Sequence, residues 1–525
     1  MHRRKTKSVA MLVGMLAFCL PAPVLAQVLP TAPGILGKRS EQPVDFADLP
    51  APRRFVTDHR VVIKGKPIEY RATAGETYIT NVHGEPVARI FSFDYVKQGP
   101  REPTRPVLFV FNGGPGSASI WLHMGILGPK RVELTPEVNP ANTPPFRLVD
   151  NPHSLLDIAD IVFIDPVGTG FSQAVGNATT ADFAGVDVDA ESISRFVELW
   201  LTRNGRWNAR KYLVGESYGT VRAAVMSRTL MGGPLYTGVM RGITLDGVIL
   251  VGSALDVNRG SSADAKGPDR KAGRALASMA ATAWYHQRID REGRTVGQVY
   301  EAARLFGESD YAGALWRQQQ GTLAEPERQA IAAGLASFTG LSAQAWIDAN
   351  LSISLPEFMK RVIADTGLET GMYDSRYTLP LAGSGGDPVS DDPAMGRYVP
   401  GFVAAFHMML HNHLKVDMPI PYISIGWGDL NGRWDYTRVP GVAPTTNFAS
   451  DLAIAMRRNP ALRLMVASGY YDMVTTPAAA AAQVREGGVP EERTLIRDYE
   501  SGHMLYLGGT APQFAEDLRG FLLYP

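Results

Sequence analysis

The chain has 525 residues but only one cysteine, Cys19, and its 52 basic residues are balanced by 52 acidic residues. Cys19 lies in an apolar run near the N-terminus, so the rest of the chain can form no disulfide bond. The formal charge of zero shows no excess of positive charge of the kind that nucleic-acid-binding proteins have. Beyond the N-terminal region, no apolar stretch reaches about 18 uninterrupted residues, and we expect no stable membrane anchor.

The first 26 residues have the pattern of a secretory signal peptide. Basic residues at positions 3, 4, 5 and 7 precede an apolar run over residues 9–20, and the sequence Val-Leu-Ala that ends at Ala26 suits cleavage by signal peptidase. We therefore expect residues 1–26 to be removed and the mature chain to be periplasmic or secreted. Residues 27–55 are rich in proline and predict an extended N-terminal arm.

A serine flanked by glycines follows a short apolar run. Residues 212–214 read Tyr-Leu-Val, and residues 215–219 read Gly-Glu-Ser-Tyr-Gly. Small residues two positions on either side of a serine let a strand bend sharply into a helix and expose the hydroxyl group, as in an α/β-hydrolase. Ser217 is therefore a candidate nucleophile, although a single motif of this kind also occurs in ordinary turns.

A serine nucleophile needs a histidine base and a carboxylate that orients it. The apolar run at residues 462–468 is followed by Asp472, and the shorter run at residues 494–497 leads to His503. The order serine, aspartate, histidine is that of the α/β-hydrolases. We predict an α/β protein of the α/β-hydrolase fold, with a mostly parallel central sheet and a helical cap insertion.

Another glycine-rich segment follows the apolar run at residues 106–111. Residues 112–117 read Asn-Gly-Gly-Pro-Gly-Ser, and a turn of this kind can present backbone N–H groups to a developing oxyanion. We expect the amides of Gly114 and Tyr218 to form the oxyanion hole. The alternative is a loop that only connects a strand to a helix.

Together these motifs resemble those of the serine carboxypeptidase family. The similarity includes Asn-Gly-Gly-Pro-Gly at 112–116, Gly-Glu-Ser-Tyr at 215–218, the turn that ends at Asp472, Gly-His-Met at 502–504 and the segment 159–172. It extends from about Val61 to the end of the chain. Relatives from eukaryotes are typically disulfide-bonded, so the resemblance favours a bacterial secreted member.

The resemblance implies a serine-type carboxypeptidase that acts on peptides without a cofactor. It implies that Asn112, Gly113 and Glu216 help to hold the terminal carboxylate of the substrate. A protonated carboxyl group at position 216 can donate a hydrogen bond to a carboxylate. Alternatively, Glu216 only stabilises the first turn of the helix that follows.

The chain departs from the family at Ile126, where the family has a second glutamate. His123 lies about one helical turn away and is a candidate positive partner for the substrate, or else a histidine packed in the pocket wall. The departure leaves an esterase or acyltransferase with the same catalytic residues as an alternative. An alternative of another class is a secreted binding protein without turnover.

The spacing of the motifs divides the chain into a core of two segments and a cap inserted between them. We expect the core to comprise residues 56–256 and 441–525, with antiparallel strands flanking the parallel ones, and the cap to comprise residues 257–440. The cap contains His407, His411 and His413, but it lacks the H-E-x-x-H pattern, and we expect no metal site. The sequence leaves the oligomeric state open.

Overall fold

The computed structural model describes residues 32–40, 42–100, 102–233, 237–257, 270–381, 387–428 and 430–523. The expected signal peptide, residues 1–26, lies outside the described residues. Within them, no helix combines the length and the hydropathy needed to cross a membrane.

The strands form one large sheet and two small hairpins. Their bounds are β1 Arg54–Ile63, β2 Lys66–Thr80, β3 Pro86–Lys97, β4 Val107–Phe111, β5 Lys130–Val132, β6 Leu148–Asp150, β7 Asp160–Ile164, β8 Gln173–Ala174, β9 Lys211–Glu216, β10 Gly247–Val251, β11 Leu368–Thr370, β12 Thr378–Pro380, β13 Arg463–Gly469 and β14 Thr494–Tyr499. The order in the large sheet is β1-β2-β3-β7-β4-β9-β10-β13-β14, with β8 paired to β3.

Six neighbouring strands of the large sheet, from β7 to β14, run parallel, whereas β1, β2 and β3 add an antiparallel edge. The parallel strands β4, β7 and β10 are buried along their whole length. Such continuous apolar strands are typical of a sheet that is covered on both faces. The prediction of an α/β-hydrolase fold with a mostly parallel sheet and antiparallel flanking strands is confirmed.

Helices cover the sheet and form the insertion. Their bounds are α1 Ile120–Leu122, α2 Val186–Asn204, α3 Tyr218–Thr229, α4 Lys271–Tyr285, α5 Val296–Phe306, α6 Ala312–Gln319, α7 Glu325–Thr339, α8 Ala343–Asp348, α9 Leu355–Arg361, α10 Pro393–Met408, α11 Ala449–Arg458, α12 Pro477–Glu486 and α13 Ala511–Leu523. Wider π-helical turns lie at His123–Leu127, Gly307–Tyr311 and Met409–His413, and 3-10 turns at Gly34–Leu36, Phe46–Asp48, Thr180–Phe183, Ala364–Thr366, Asn431–Arg433 and Glu491–Arg493.

The insertion between β10 and α11 has two parts. Helices α4 to α9 surround their own apolar core, to which Met473, from the loop after β13, also belongs. Helix α10 instead buries Phe402 and Phe406 in the core on one face of the large sheet. Helices α4 to α9 therefore contact the loop that carries Asp472, whereas α10 packs in the core of the main domain.

Helix α4 meets the π-helical turn Gly307–Tyr311 backbone against backbone. A Cβ atom at Gly273 would overlap with the carbonyl oxygen of Gly307, and one at Gly307 would overlap with the carbonyl oxygen of Gly273. Both neighbours are backbone atoms, so the contact cannot be relieved by rotating a side chain.

The substitution Gly273→Ala is expected to lower the free energy of unfolding by about 1–3 kcal/mol, because the added methyl group forces the two segments apart. Urea unfolding followed by circular dichroism measures the change. The matched control is Gly313→Ala on α6, where the new methyl group would meet only the flexible end of Arg317 at 3.3 Å. Equal stability of the two variants would contradict this packing.

Candidate active site

Ser217 lies in the sharp turn between β9 and α3. Its backbone has φ 59° and ψ −128°, a strained conformation for a residue with a side chain. Gly215 and Gly219 make the turn possible, since a Cβ atom at Gly215 would overlap with the carbonyl oxygen of Gly219. The amide of Ser217 donates a hydrogen bond of 2.9 Å to the carbonyl oxygen of Val251, the last residue of β10. The strand-turn-helix geometry predicted from the glycine spacing is present.

His503 and Asp472 form a buried pair. His503 Nδ1 lies 2.8 Å from Asp472 Oδ2, and neither residue is more than 2% exposed. Asp472 Oδ1 accepts hydrogen bonds from the amides of Val474 at 2.7 Å and Thr475 at 2.9 Å. The Thr475 hydroxyl donates to Asp472 Oδ2 at 2.6 Å. Both oxygens of the Asp472 carboxylate accept hydrogen bonds, and the carboxylate fixes the imidazole of His503 in the tautomer that carries a proton on Nδ1.

The second nitrogen of His503, Nε2, is buried and has no hydrogen-bond partner among the described residues. Burial disfavours the imidazolium, but the charge of Asp472, its hydrogen bond and the charge of Glu216 outweigh that effect and raise the pKa of His503. The available Nε2 and the raised pKa are properties of a base that can accept a proton from a hydroxyl group.

The end of β10 brings the histidine and the serine to one edge of the sheet. A Cβ atom at Gly252 would lie 2.8 Å from both Cε1 and Nδ1 of His503, and the preceding residue, Val251, accepts the hydrogen bond from the amide of Ser217. Strands β9, β10, β13 and β14 are adjacent and parallel, so the loops after them share this edge. Ser217, Asp472 and His503 all lie in these loops.

The insertion supports His503 from the other side. The amide of His503 donates to the carbonyl oxygen of Tyr373 at 2.6 Å, and the two rings meet edge to face at 5.5 Å. Asp392, the N-terminal cap of α10, accepts hydrogen bonds from the amides of Met372 and Tyr373. The segment before β12 therefore holds the loop that carries the histidine.

The loop after β4 packs directly on the turn at Ser217. A Cβ atom at Gly113 would overlap with the amide nitrogen of Tyr218, and Gly114 has φ 103°, a conformation that favours glycine. In the described part of the chain, neither the Gly114 amide nor the Tyr218 amide donates a hydrogen bond to a protein acceptor. The Gly114 amide of the expected oxyanion hole thus belongs to a loop that contacts the turn at Ser217, and the Tyr218 amide belongs to the turn itself.

Arg222, on α3, is a residue that the sequence reasoning missed. Its side chain is buried, Nη1 donates to the carbonyl oxygen of Asn112 at 2.6 Å, and Nε donates to Asp189 Oδ2 at 2.8 Å. The Asn112 side chain accepts a hydrogen bond from the amide of Leu122 at 3.1 Å. The glycine-rich loop is therefore anchored at its first residue by both α1 and α3.

Glu216 is buried beside Ser217, at 4% exposure. Its Oε1 accepts a hydrogen bond from the Tyr506 hydroxyl at 3.4 Å, and its Oε2 has no hydrogen-bond partner among the described residues. Burial raises the pKa of Glu216 to about 7, although the charge of His503 acts in the opposite direction. A carboxyl group with this pKa is protonated in mildly acidic solution and can then donate a hydrogen bond.

His123 has a different environment from the one expected of a positive substrate partner. Its ring is fully buried and stacks on Phe163 at 4.0 Å, and its Nε2 lies 2.7 Å from the Tyr95 hydroxyl. Burial lowers the pKa of His123 to about 3, so the ring is neutral. Phe163 lies on β7, two strands from β9, and Ile126 is also fully buried. His123 is a core histidine, as the alternative interpretation held, and we do not include it in the proposed substrate site.

No group of three or more histidine, cysteine, aspartate or glutamate side chains in the described ranges has the geometry of a metal site. His407 and His411 are exposed on the end of α10 and the turn after it.

Comparisons with known proteins agree with the geometry. The family model described as "Serine carboxypeptidase" matches residues 77–302. Serine carboxypeptidase-like 36 of Arabidopsis thaliana is 32% identical over 136 residues, which are 26% of this chain and 26% of that protein. Serine carboxypeptidase-like 34 of the same plant is 32% identical over 156 residues, or 29% of this chain and 28% of that protein. The chain thus spans about a quarter of the length of these relatives.

Among solved structures, the chain is similar to Kex1(delta)p, a prohormone-processing carboxypeptidase from Saccharomyces cerevisiae. The TM-score is 0.53, with 14% sequence identity, and the superposition covers 86% of this chain and 90% of the other. At this identity the similarity concerns the fold.

Proposed function

We propose that this chain, which belongs to the serine carboxypeptidase family, hydrolyses the last peptide bond of substrates that have a free C-terminus. The observation that supports this most directly is the buried carboxyl group of Glu216 next to Ser217, whose Oε2 has no hydrogen-bond partner among the described residues. A nucleophilic serine alone would suit many acyl-transfer reactions, whereas a neighbouring group that can donate to a carboxylate favours a substrate with a free C-terminus.

In the proposed first step, His503 Nε2 takes the proton of Ser217 Oγ as the oxygen forms a bond to the scissile carbonyl carbon. The amides of Gly114 and Tyr218 bind the resulting oxyanion. Asp472 holds the imidazole in position and stabilises its positive charge.

The tetrahedral intermediate then collapses. The bond to the leaving nitrogen breaks, His503 returns its proton to that nitrogen, and the C-terminal amino acid departs. Water loses a proton to His503 and attacks the acyl group on Ser217, which releases the shortened peptide and restores the serine hydroxyl. The carboxylate of the departing amino acid would be held by Glu216 together with Asn112 and Gly113. None of these steps needs a metal ion or a cofactor.

The test compares a blocked dipeptide that has a free C-terminus with its C-terminal amide and a matched ester, in mildly acidic buffer. Release of the last amino acid from the free acid, with the amide cleaved at least tenfold more slowly, is the expected result. Equal cleavage of the acid and the amide would contradict recognition of the carboxylate.

An esterase or acyltransferase is the second candidate, because Ile126 occupies the core where the family has a second acid. Turnover of the ester alone, or transfer of the acyl group to an added alcohol in preference to water, would favour this candidate over the carboxypeptidase.

The variant Glu216→Gln tests the role of the carboxyl group through pH. With the free-acid substrate, kcat/KM of the wild-type protein should fall above about pH 7, to about one tenth at one pH unit higher, because ionised Glu216 repels the substrate carboxylate. Glutamine keeps a donor that does not ionise, so this fall should disappear. If kcat/KM fell at the same alkaline pH in the wild-type protein and in Glu216→Gln, the proposed role of Glu216 in binding the substrate carboxylate would be contradicted.

We also propose that the reaction takes place outside the cytoplasm. The basic residues and the apolar run within residues 1–26 support export, and the small residue at position 26 supports cleavage before Gln27.

A further inference from the structure

Tyr506 fills the space beside the segment where the family has its second acid. The residue is 1% exposed, and its ring lies so close to Gly125 that a Cβ atom there would overlap with Cδ2. Gly125 directly precedes Ile126, so the absence of a side chain at position 125 is what admits the ring. Phe402 of α10 flanks the ring at 6.2 Å.

The hydroxyl group of Tyr506 is directed at Glu216, to whose Oε1 it donates at 3.4 Å. Burial raises the pKa of Tyr506 well above its usual range, so the hydroxyl keeps its proton. It is therefore a neutral donor at every pH at which the protein would work. A carboxyl group in the same place would lose its proton within that range and then repel Glu216.

We propose that Tyr506 is a positioning residue that occupies one oxygen of Glu216 and thereby leaves the proton on Oε2, available to the substrate carboxylate. The inference rests on the proposed function, since it concerns how a free C-terminus is recognised. It explains how a single carboxyl group can serve without a second one. When Tyr506 donates to Oε1, it favours the form in which Oε1 is the carbonyl oxygen, the better acceptor, and the proton of Glu216 resides on Oε2, the oxygen that has no partner in the described residues.

The role has two measurable consequences. Without the hydroxyl group, the proton of Glu216 can reside on either oxygen, and binding of the substrate carboxylate weakens. In addition, a hydrogen bond to Oε1 favours the ionised carboxylate, and its loss should raise the pKa of Glu216 further. The alkaline limb of kcat/KM should therefore move to higher pH, a shift that a purely structural defect would not produce.

The experiment uses Tyr506→Phe in the full chain, with the free-acid dipeptide and a matched ester that has no free carboxylate. KM for the free acid should rise about fivefold to tenfold, with kcat within about twofold, because one hydrogen bond is lost. The ester should show no comparable rise in KM. The control is Tyr499→Phe, which also removes a tyrosine-carboxylate hydrogen bond, the one of 2.8 Å from the last residue of β14 to Asp517 on α13.

The outcomes separate this inference from the proposed function. If the wild-type protein prefers the free acid but Tyr506→Phe leaves both KM and the alkaline limb unchanged, the role of Tyr506 is wrong and the proposed function stands. An equal loss on both substrates would also refute the role of Tyr506. If the wild-type protein shows no preference for the free acid, the proposed function fails, and the inference fails with it.

Discussion

Replacing Ser217 by alanine should lower kcat by about 10⁴-fold to 10⁶-fold, because no other group in the turn can form the acyl-enzyme. The fold should be retained, since the side chain of Ser217 is only partly buried and the turn is held by its backbone and by Gly215 and Gly219. The measurement is kcat on the free-acid dipeptide together with the melting temperature.

The matched control is Ser194→Ala. Ser194 is a buried serine on α2 whose hydroxyl has no hydrogen-bond partner among the described residues. Its loss should leave kcat unchanged within about twofold. Near-normal turnover by Ser217→Ala, at the same melting temperature, would show that the nucleophile lies elsewhere.

The second large effect is expected for Asp472→Asn, with a fall in kcat of about 10⁴-fold. Two backbone amides donate to Oδ1, so the amide oxygen of asparagine should occupy that position and its NH₂ group should replace Oδ2. His503 Nδ1 would then face a donor and become an acceptor. The imidazole would carry its proton on Nε2, where it cannot take the proton of Ser217.

The control for this variant is Asp94→Asn. Asp94 is partly buried and accepts hydrogen bonds from Trp200 and Ser92, but it lies on β3, away from the histidine. The Ser92 hydroxyl can rotate to accept a hydrogen bond from the new amide, so kcat should be almost unchanged. A loss of activity in Asp472→Asn no larger than that in Asp94→Asn would contradict the assignment of the orienting carboxylate.

The sequence was sufficient to predict the elements whose signals are local. The apolar runs at β4, β9, β13 and β14 predicted parallel strands, and the glycine spacing around Ser217 predicted the turn, because each pattern reflects the geometry of a few consecutive residues. The order of the three motifs then predicted the α/β-hydrolase fold.

The residues that the sequence did not reveal act across long separations. Arg222 donates to Asp189, which lies on another helix 33 positions away, and to the carbonyl oxygen of Asn112, which is 110 positions away. Tyr506 reaches Glu216 across 290 positions. No periodicity or short motif encodes such pairs, since only the packing of the folded chain brings them together.

Two further differences between the sequence-based predictions and the structure also arise from packing between distant parts of the chain. A histidine one helical turn from Ile126 has the same spacing whether it faces the substrate or the core, and only the stacking on Phe163 shows which occurs. Similarly, the apolar residues of α10 fit a helix of the cap as well as a helix of the main domain. In the structure they contact the core on one face of the sheet.

The central claim is that Ser217 is activated by His503 and Asp472, and the most direct test is labelling with a fluorophosphonate followed by mass spectrometry of the peptide that contains residue 217. The proposed mechanism predicts one adduct, on Ser217, formed in step with the loss of activity and strongly slowed in Asp472→Asn. Absence of an adduct would support the alternative of a binding protein without turnover. An adduct on another serine, or continued release of amino acids by fully labelled protein, would contradict the proposed mechanism.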